Sequence, residues 1–170
     1  GVAAMTDVGL ARTLNEDNWG WVQLTDEVYL YVVADGMGGH DSGEVASAVA
    51  TSTICRVART RIQKESNLTP EVMENILDEA FQEANNTVKS TAESRGNDMG
   101  TTLVALLVAG NTGLMANVGD SRGYLFREGR LMQVSKDHSL VSKMVEQGRI
   151  TAEEARTHPH SNILLRTVGT

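Results

Sequence analysis

An apolar run that meets an acidic residue and then a cluster of glycines constrains this chain more than any other feature. Residues 31–43 read Tyr-Val-Val-Ala-Asp-Gly-Met-Gly-Gly-His-Asp-Ser-Gly. Val28 to Ala34 predicts a strand that ends at Asp35, followed closely by Gly36, Gly38, Gly39 and Gly43. Glycine lets a backbone turn sharply and approach a ligand closely. A carboxylate carried off a strand end into such a loop is placed to hold a hard cation.

The rest of the chain supplies the layers around that corner. Val2 to Met5 and Trp19 to Gln23 read as short strands, joined by a polar connection that carries Arg12, Glu16 and Asp17. Trp19 and Trp21 are read as core. Asp41 with Glu44 makes a capping-box pattern for a helix over 42–62. Its rows Val45, Val49, Thr53, Val57 and Ala46, Ala50, Ile54, Ala58 form one apolar stripe. Arg56, Arg59 and Arg61 fall off that stripe as a solvated face. Thr69-Pro70 opens a second helix with Val72, Ile76, Ala80, Ala84 and Val88 inward. Two successive helices predict an antiparallel pair on one face of a sheet.

Strand period returns at Thr101–Ala109 and Leu114–Val118, around a turn at Gly110–Gly113. Gly123–Phe126 and Leu131–Val134 flank a tight hairpin at Glu128-Gly129. Leu140–Val145 reads as a small helix stopped near Gly148, and Thr151 with Glu154 as a second capping box. Strands, then helices, then strands fit an α+β layered domain, single over 1–170.

Charge and cysteine content narrow the function classes. A net charge of −7 argues against a reader of phosphate backbones, so no nucleic-acid partner is expected. A lone Cys55 excludes an internal disulfide framework and suits a reducing, cytoplasmic compartment. No stretch approaches the length of a membrane span, so no membrane contact is expected of this segment.

Asp35, Glu16, Asp17 and Asp98 sit in loops or beside strands, and Gly36 has a carbonyl to offer. Oxygen donors with few histidines suit Mg²⁺ or Mn²⁺ rather than Zn²⁺. Two such ions can lower the pKa of a water and clamp the oxygens of a phosphoryl displacement. Arg12 has the fork to hold a phosphate. His40 reads either as a general acid or as a loop histidine bonded to backbone. Asp120 and Arg122 read first as structural, Asp137 as ordering the backbone after it, and His138, His158 and His160 as surface residues.

Several motifs occur in order: Thr6-Asp-Val-Gly-Leu-Ala-Arg12, Asn15-Glu-Asp-Asn18, Val33-Ala-Asp-Gly-Met-Gly-Gly-His40, Met99-Gly-Thr-Thr102, Asn117-Val-Gly-Asp-Ser-Arg122 and Asp137-His138. Together they resemble the bacterial type-2C, metal-dependent protein serine/threonine phosphatases. The resemblance implies two antiparallel sheets packed as a sandwich flanked by helix pairs. It implies hydrolysis of phosphoserine and phosphothreonine by a metal-bridged water. Asp35 would bridge two Mn²⁺ or Mg²⁺ ions, with the Gly36 carbonyl on one. Glu16 and Asp17 would be the acidic pair near the first ion, Arg12 the phosphate ligand, and Asp98 part of a third, weaker site. Segment 139–165 would be the flap, phosphorylated proteins the substrates, and a Ser/Thr kinase the counterpart. Met37 stands where eukaryotic relatives place a histidine, so that general-acid role does not transfer.

The family pattern continues into a Ser-Asp-Gly strand end and a late Asp-Asn pair, and neither occurs here. The expectation is therefore the N-terminal larger part of the domain, weakly active or inactive by itself. The alternatives are a non-catalytic binding or regulatory relative, and a chain completed by strand exchange with another.

Overall fold

In the computed structural model, residues 1–38 and 42–170 are described; the expected roles of His40 and of the Asp41 cap lie outside them. Strands β1 (Asp17–Thr25) and β2 (Val28–Gly38) form a hairpin, and helices α1 (Ser42–Ile62) and α2 (Pro70–Arg95) follow. Then come β3 (Met99–Thr101), β4 (Leu103–Ala109), β5 (Thr112–Val118), β6 (Tyr124–Arg127) and β7 (Arg130–Gln133). Two short helices, α3 (Leu140–Glu146) and α4 (Ala152–Arg156), come last. The main sheet is antiparallel in the order β1-β2-β4-β5, with β3 extending the β2 pairing, and β6-β7 form a separate ladder. The α+β class with antiparallel sheets is present as expected.

Helices α1 and α2 cover one face of the sheet. Leu30, Val32, Leu103 and Leu107 point into that layer, against Ala46, Ala50, Ile54 and Ala58 of α1 and Ile76, Leu77, Ala80 and Ala84 of α2. The alanine row of α1 is the inner one because small side chains let the helix lie close to the sheet, while Val45 and Val49 are half-buried. Thr69 caps α2 by accepting from the Val72 N–H, with Pro70 in the first turn. Arg56 pairs with Glu83 and Arg61 with Glu79, so the helices run antiparallel and two of the three arginines on that face are paired within the chain.

Four expectations change. Val2–Met5 forms no strand: its residues are exposed, with no partner ladder to satisfy the backbone. Residues Gly110-Asn111 alone make the β4–β5 turn, with Gly110 at φ 55°. The strand at Val28 does not stop at Asp35 but continues through Gly38. Trp19 and Trp21 are not core. They lie on the sheet face away from the helices, 42% and 51% exposed, beside the exposed Val33.

Strand alternation assigns the tryptophans to one face together; only the position of α1 and α2 decides which face is dry. Trp21→Gln is accordingly expected to change stability by about 0.5 kcal/mol or less, whereas truncating a buried tryptophan costs about 3–5 kcal/mol. Urea unfolding of the two proteins checks this, and a loss in the larger range would return Trp21 to the core.

Candidate active site

The site begins with a repulsion built into the sheet. Asp17 and Asp35 are direct cross-strand partners in the β1–β2 ladder. Like charges placed opposite each other destabilise a sheet. Burial, with the Asp17 carboxylate beside it, pushes the Asp35 carboxyl up to about 6; Arg12 pulls it down and Asp120 adds to the rise. As direct strand partners, the two carboxyls act on each other, and protonation of Asp35 relieves the repulsion. A divalent cation would take that proton's place with more charge.

The backbone of Asp35 is held on both sides by residues the motif reading left without roles. Its N–H donates to Thr102 Oγ1 at 3.0 Å, and its carbonyl accepts from the Thr102 N–H at 2.9 Å and Thr101 Oγ1 at 3.0 Å. Thr102 Oγ1 also lies 2.6 Å from Ser121 Oγ, joining β2 to the 119–122 turn. Thr101 and Thr102 are fully buried polar residues, and two threonines at a break between β3 and β4 were the available signal.

Glu16 is fixed through its backbone. Its carbonyl accepts from the Gly36 N–H at 3.1 Å and from Ser47 Oγ of α1 at 2.7 Å. Its carboxylate lies 3.7 Å from the Arg12 guanidinium. Arg12 itself is 64% exposed, free on the solvent side to meet an anion. Gly36 and Gly43 press their backbones together, and a β-carbon on Gly43 would also collide with the Glu16 carboxylate. The glycines serve close packing here: neither φ lies in the left-handed region. Ser47, a buried hydroxyl beside the apolar stripe of α1, was the sequence clue to this junction.

Asp17, Asp35, Arg12 and Glu16 are thus gathered at one end of the open sheet face. Asp120, read from sequence as structural, stands close enough to act on the Asp35 charge. Asp98 precedes β3, its carbonyl against Gly38, and is not among the charges that move Asp35. The described contacts of Gly36 are with Gly43, Glu16 and its strand partner Thr101. No group of three or more acidic, histidine or cysteine side chains takes up metal-binding geometry among the described residues. The donor chemistry, two facing carboxylates and no sulfur, fits one side of a Mg²⁺ or Mn²⁺ shell.

Away from this end, Arg122 bonds both oxygens of Asp137, which also accepts from Gln133 Nε2 at 2.9 Å. That agrees with a structural role for both. His138 is less superficial than expected: it is half-buried, its Nδ1 accepts from the Gly119 N–H at 3.3 Å, and burial lowers its pKa. The Thr151–Glu154 capping box forms as read.

A family model described as protein phosphatase 2C matches residues 11–168. The chain is 43% identical over 166 residues to the serine/threonine phosphatase stp of Listeria monocytogenes serovar 1/2a, covering 96% of this chain and 65% of that protein. It is 38% identical over 168 residues to the serine/threonine protein phosphatase PstP of Mycobacterium tuberculosis, covering 98% and 30%. Among solved structures, the Staphylococcus aureus serine/threonine phosphatase Stp1 matches with a TM-score of 0.87 at 38% identity, over 98% of this chain and 65% of that one. The catalytic domain of PstP, solved in complex with 2 manganese ions, matches at 0.79 and 36% identity, over 98% and 66%. The chain therefore spans about two thirds of the length of the Listeria relatives and of these solved domains.

Proposed function

The chain belongs to the protein phosphatase 2C family, and from that premise we propose that it carries the catalytic core of a divalent-metal-dependent phosphatase for phosphoserine and phosphothreonine in proteins. The observation that carries the reading is the facing Asp17–Asp35 pair with Arg12 beside it. Asp35 and Asp17 would hold Mn²⁺ or Mg²⁺, with the Gly36 carbonyl, Glu16 and Asp98 in supporting positions. When bound, such ions neutralise phosphate charge and lower the pKa of water. Arg12 would orient the phosphate through its fork, from a loop whose exposure admits a bulky phosphoprotein. Thr102 and Ser47 keep the acidic strand ends from drifting apart. A cytoplasmic setting and a kinase that makes the substrate complete the proposal.

Hydrolysis of p-nitrophenyl phosphate with added Mn²⁺ tests it. Metal-dependent turnover, weak in this chain and stronger in one that carries the family's later metal-ligand segments, is expected, and Arg12→Ala should lower kcat/KM by roughly 10–100-fold, the worth of a charge-assisted phosphate contact. Turnover that ignores Mn²⁺, or none at saturating metal even from a chain that carries the family's later Ser-Asp-Gly and Asp-Asn segments, overturns the reading.

A further inference from the structure

The two edges of the main sheet are not alike. β1, at one edge, is broken by a register shift between Gln23 and Thr25 and carries Asp17. β5, at the other, pairs seven residues with β4 without a shift and holds neither a charge nor a proline. Charges, prolines and bulges are the usual means of keeping a sheet edge from accepting another strand. β5 has none of them, and no strand pairs with its far side among the described residues.

In an antiparallel ladder closed by the two-residue turn at Gly110-Asn111, alternate backbones bond across and the others face outward. Gly113 and Met115 are outward ones, and neither has a backbone bond outside the ladder among the described residues. The open stretch ends at Asn117, whose side chain bonds the Lys136 backbone.

Beside this edge a groove of about 540 Å³ runs between β5 and α2. Its floor is apolar, made by Leu77, Phe81, Leu114 and Ala116. Its α2 rim is acidic: Glu74 and Asp78 are exposed and one helical turn apart. No cationic side chain lines the groove, and neither carboxylate has an ion-pair partner among the described residues. Asp78 accepts a neutral hydrogen bond from Gln82 Nε2 at 2.7 Å. Arg166 enters only in the next hollow along α2, which shares Phe81 and Val118 with this one.

We propose that β5 takes up an extended, basic segment of a partner protein as an added strand. One of its aliphatic side chains would rest on the Phe81–Leu114 floor, and a lysine or arginine two residues away would meet Glu74 and Asp78. Backbone bonds at Gly113 and Met115 supply the pairing, and the carboxylates choose the guest. A second copy of this chain is disfavoured: two β5 edges joined about a two-fold axis would set both acidic rims side by side with no cation between them. β5 runs on through Gly119 to Asp120, so a partner held there lies alongside the candidate site without occupying it.

The test uses a capped peptide in which threonine alternates with valine and lysine, against the same peptide with glutamate for lysine. Binding to the metal-free chain is followed by amide NMR and hydrogen exchange. The lysine peptide is expected to bind about five-fold tighter, the worth of exchanging an exposed attraction for a repulsion. It should shift the amides of Gly113 and Met115 and slow their exchange. The double variant Glu74→Lys, Asp78→Lys should reverse the preference, and both positions are exposed, so neither change threatens folding.

Equal affinities for the two peptides, or unchanged exchange at Gly113 and Met115, overturn the proposal. So does sedimentation that finds the chain alone dimeric with those two amides already protected, which assigns the edge to a second copy. None of these readouts depends on turnover, so the phosphatase reading stands or falls separately.

Discussion

The Asp35→Asn variant is expected to melt higher than the parent chain at pH 7 when both are metal-free, and to lose the stabilisation that Mn²⁺ confers. The folded carboxyl titrates near 6, raised from 3.8 by burial and by Asp17. Between those values the native state holds a proton that the unfolded chain has released. Stability from this group is therefore greatest below about pH 4 and is lost as pH rises toward 6. At pH 7 the native chain bears the full like-charge repulsion, which asparagine removes.

Screening by solvent at a half-exposed pair reduces the gain to about 1 kcal/mol, or roughly 2–4 °C in Tm for a domain of this size. Mn²⁺ should reverse the ranking, because a ligand that binds only the folded parent stabilises it in proportion to concentration over Kd. Its effect should strengthen from pH 5 to 7 as Asp35 loses its proton. Thermal melts in chelator and in Mn²⁺, at pH 4 and pH 7, decide the matter. A variant that melts lower at pH 7 without metal, or responds to Mn²⁺ like the parent, would show that the pair is not a strained cation site.

Gly36→Ala is expected to be the most damaging single methyl that can be added to the site. A β-carbon there would overlap the Gly43 carbonyl and sit 2.8 Å from the Glu16 carbonyl. Both obstacles are backbone, tied by Ser47 and by the Gly36 N–H, and neither can swing aside as a side chain does. Overpacking of this kind costs about 3 kcal/mol, lowering Tm by roughly 6–12 °C. Any folded remainder should bind Mn²⁺ poorly, since relief requires Glu16 and Asp35 to separate. Gly113→Ala is the control: its β-carbon would meet only Leu106 Cδ1 at an ordinary 3.5 Å, and the expected change is within about 0.5 kcal/mol. Equal effects from the two substitutions would mean that Gly36 is not sterically required.

Much of this was readable from local order in the chain. The α2 start at Thr69-Pro70, the Thr151–Glu154 box and the Glu128-Gly129 hairpin depend on residues a few positions apart, and each formed where the pattern placed it. Both central residues of that hairpin have positive φ, 52° and 75°, as a tight turn between twisted strands requires. The ordered motifs likewise assigned the chain to its family without a contact being known.

Distance in sequence hid the rest. Alternation put Trp19, Trp21 and Asp35 on one face of their strands, but no local pattern says which face a helix pair will cover. The pairing of Asp17 with Asp35 needs the register of two strands, and the grip of Thr102 on Asp35 spans 67 positions. The same holds for Gly36 and Gly43, read as sites of turning and of close approach to a ligand, whose backbones press against each other. Propensities and caps act within a few residues, so the sequence by itself determined the elements and the family. Charges, faces and steric limits at the site arise from chain segments brought together by packing, and only the tertiary structure decided those.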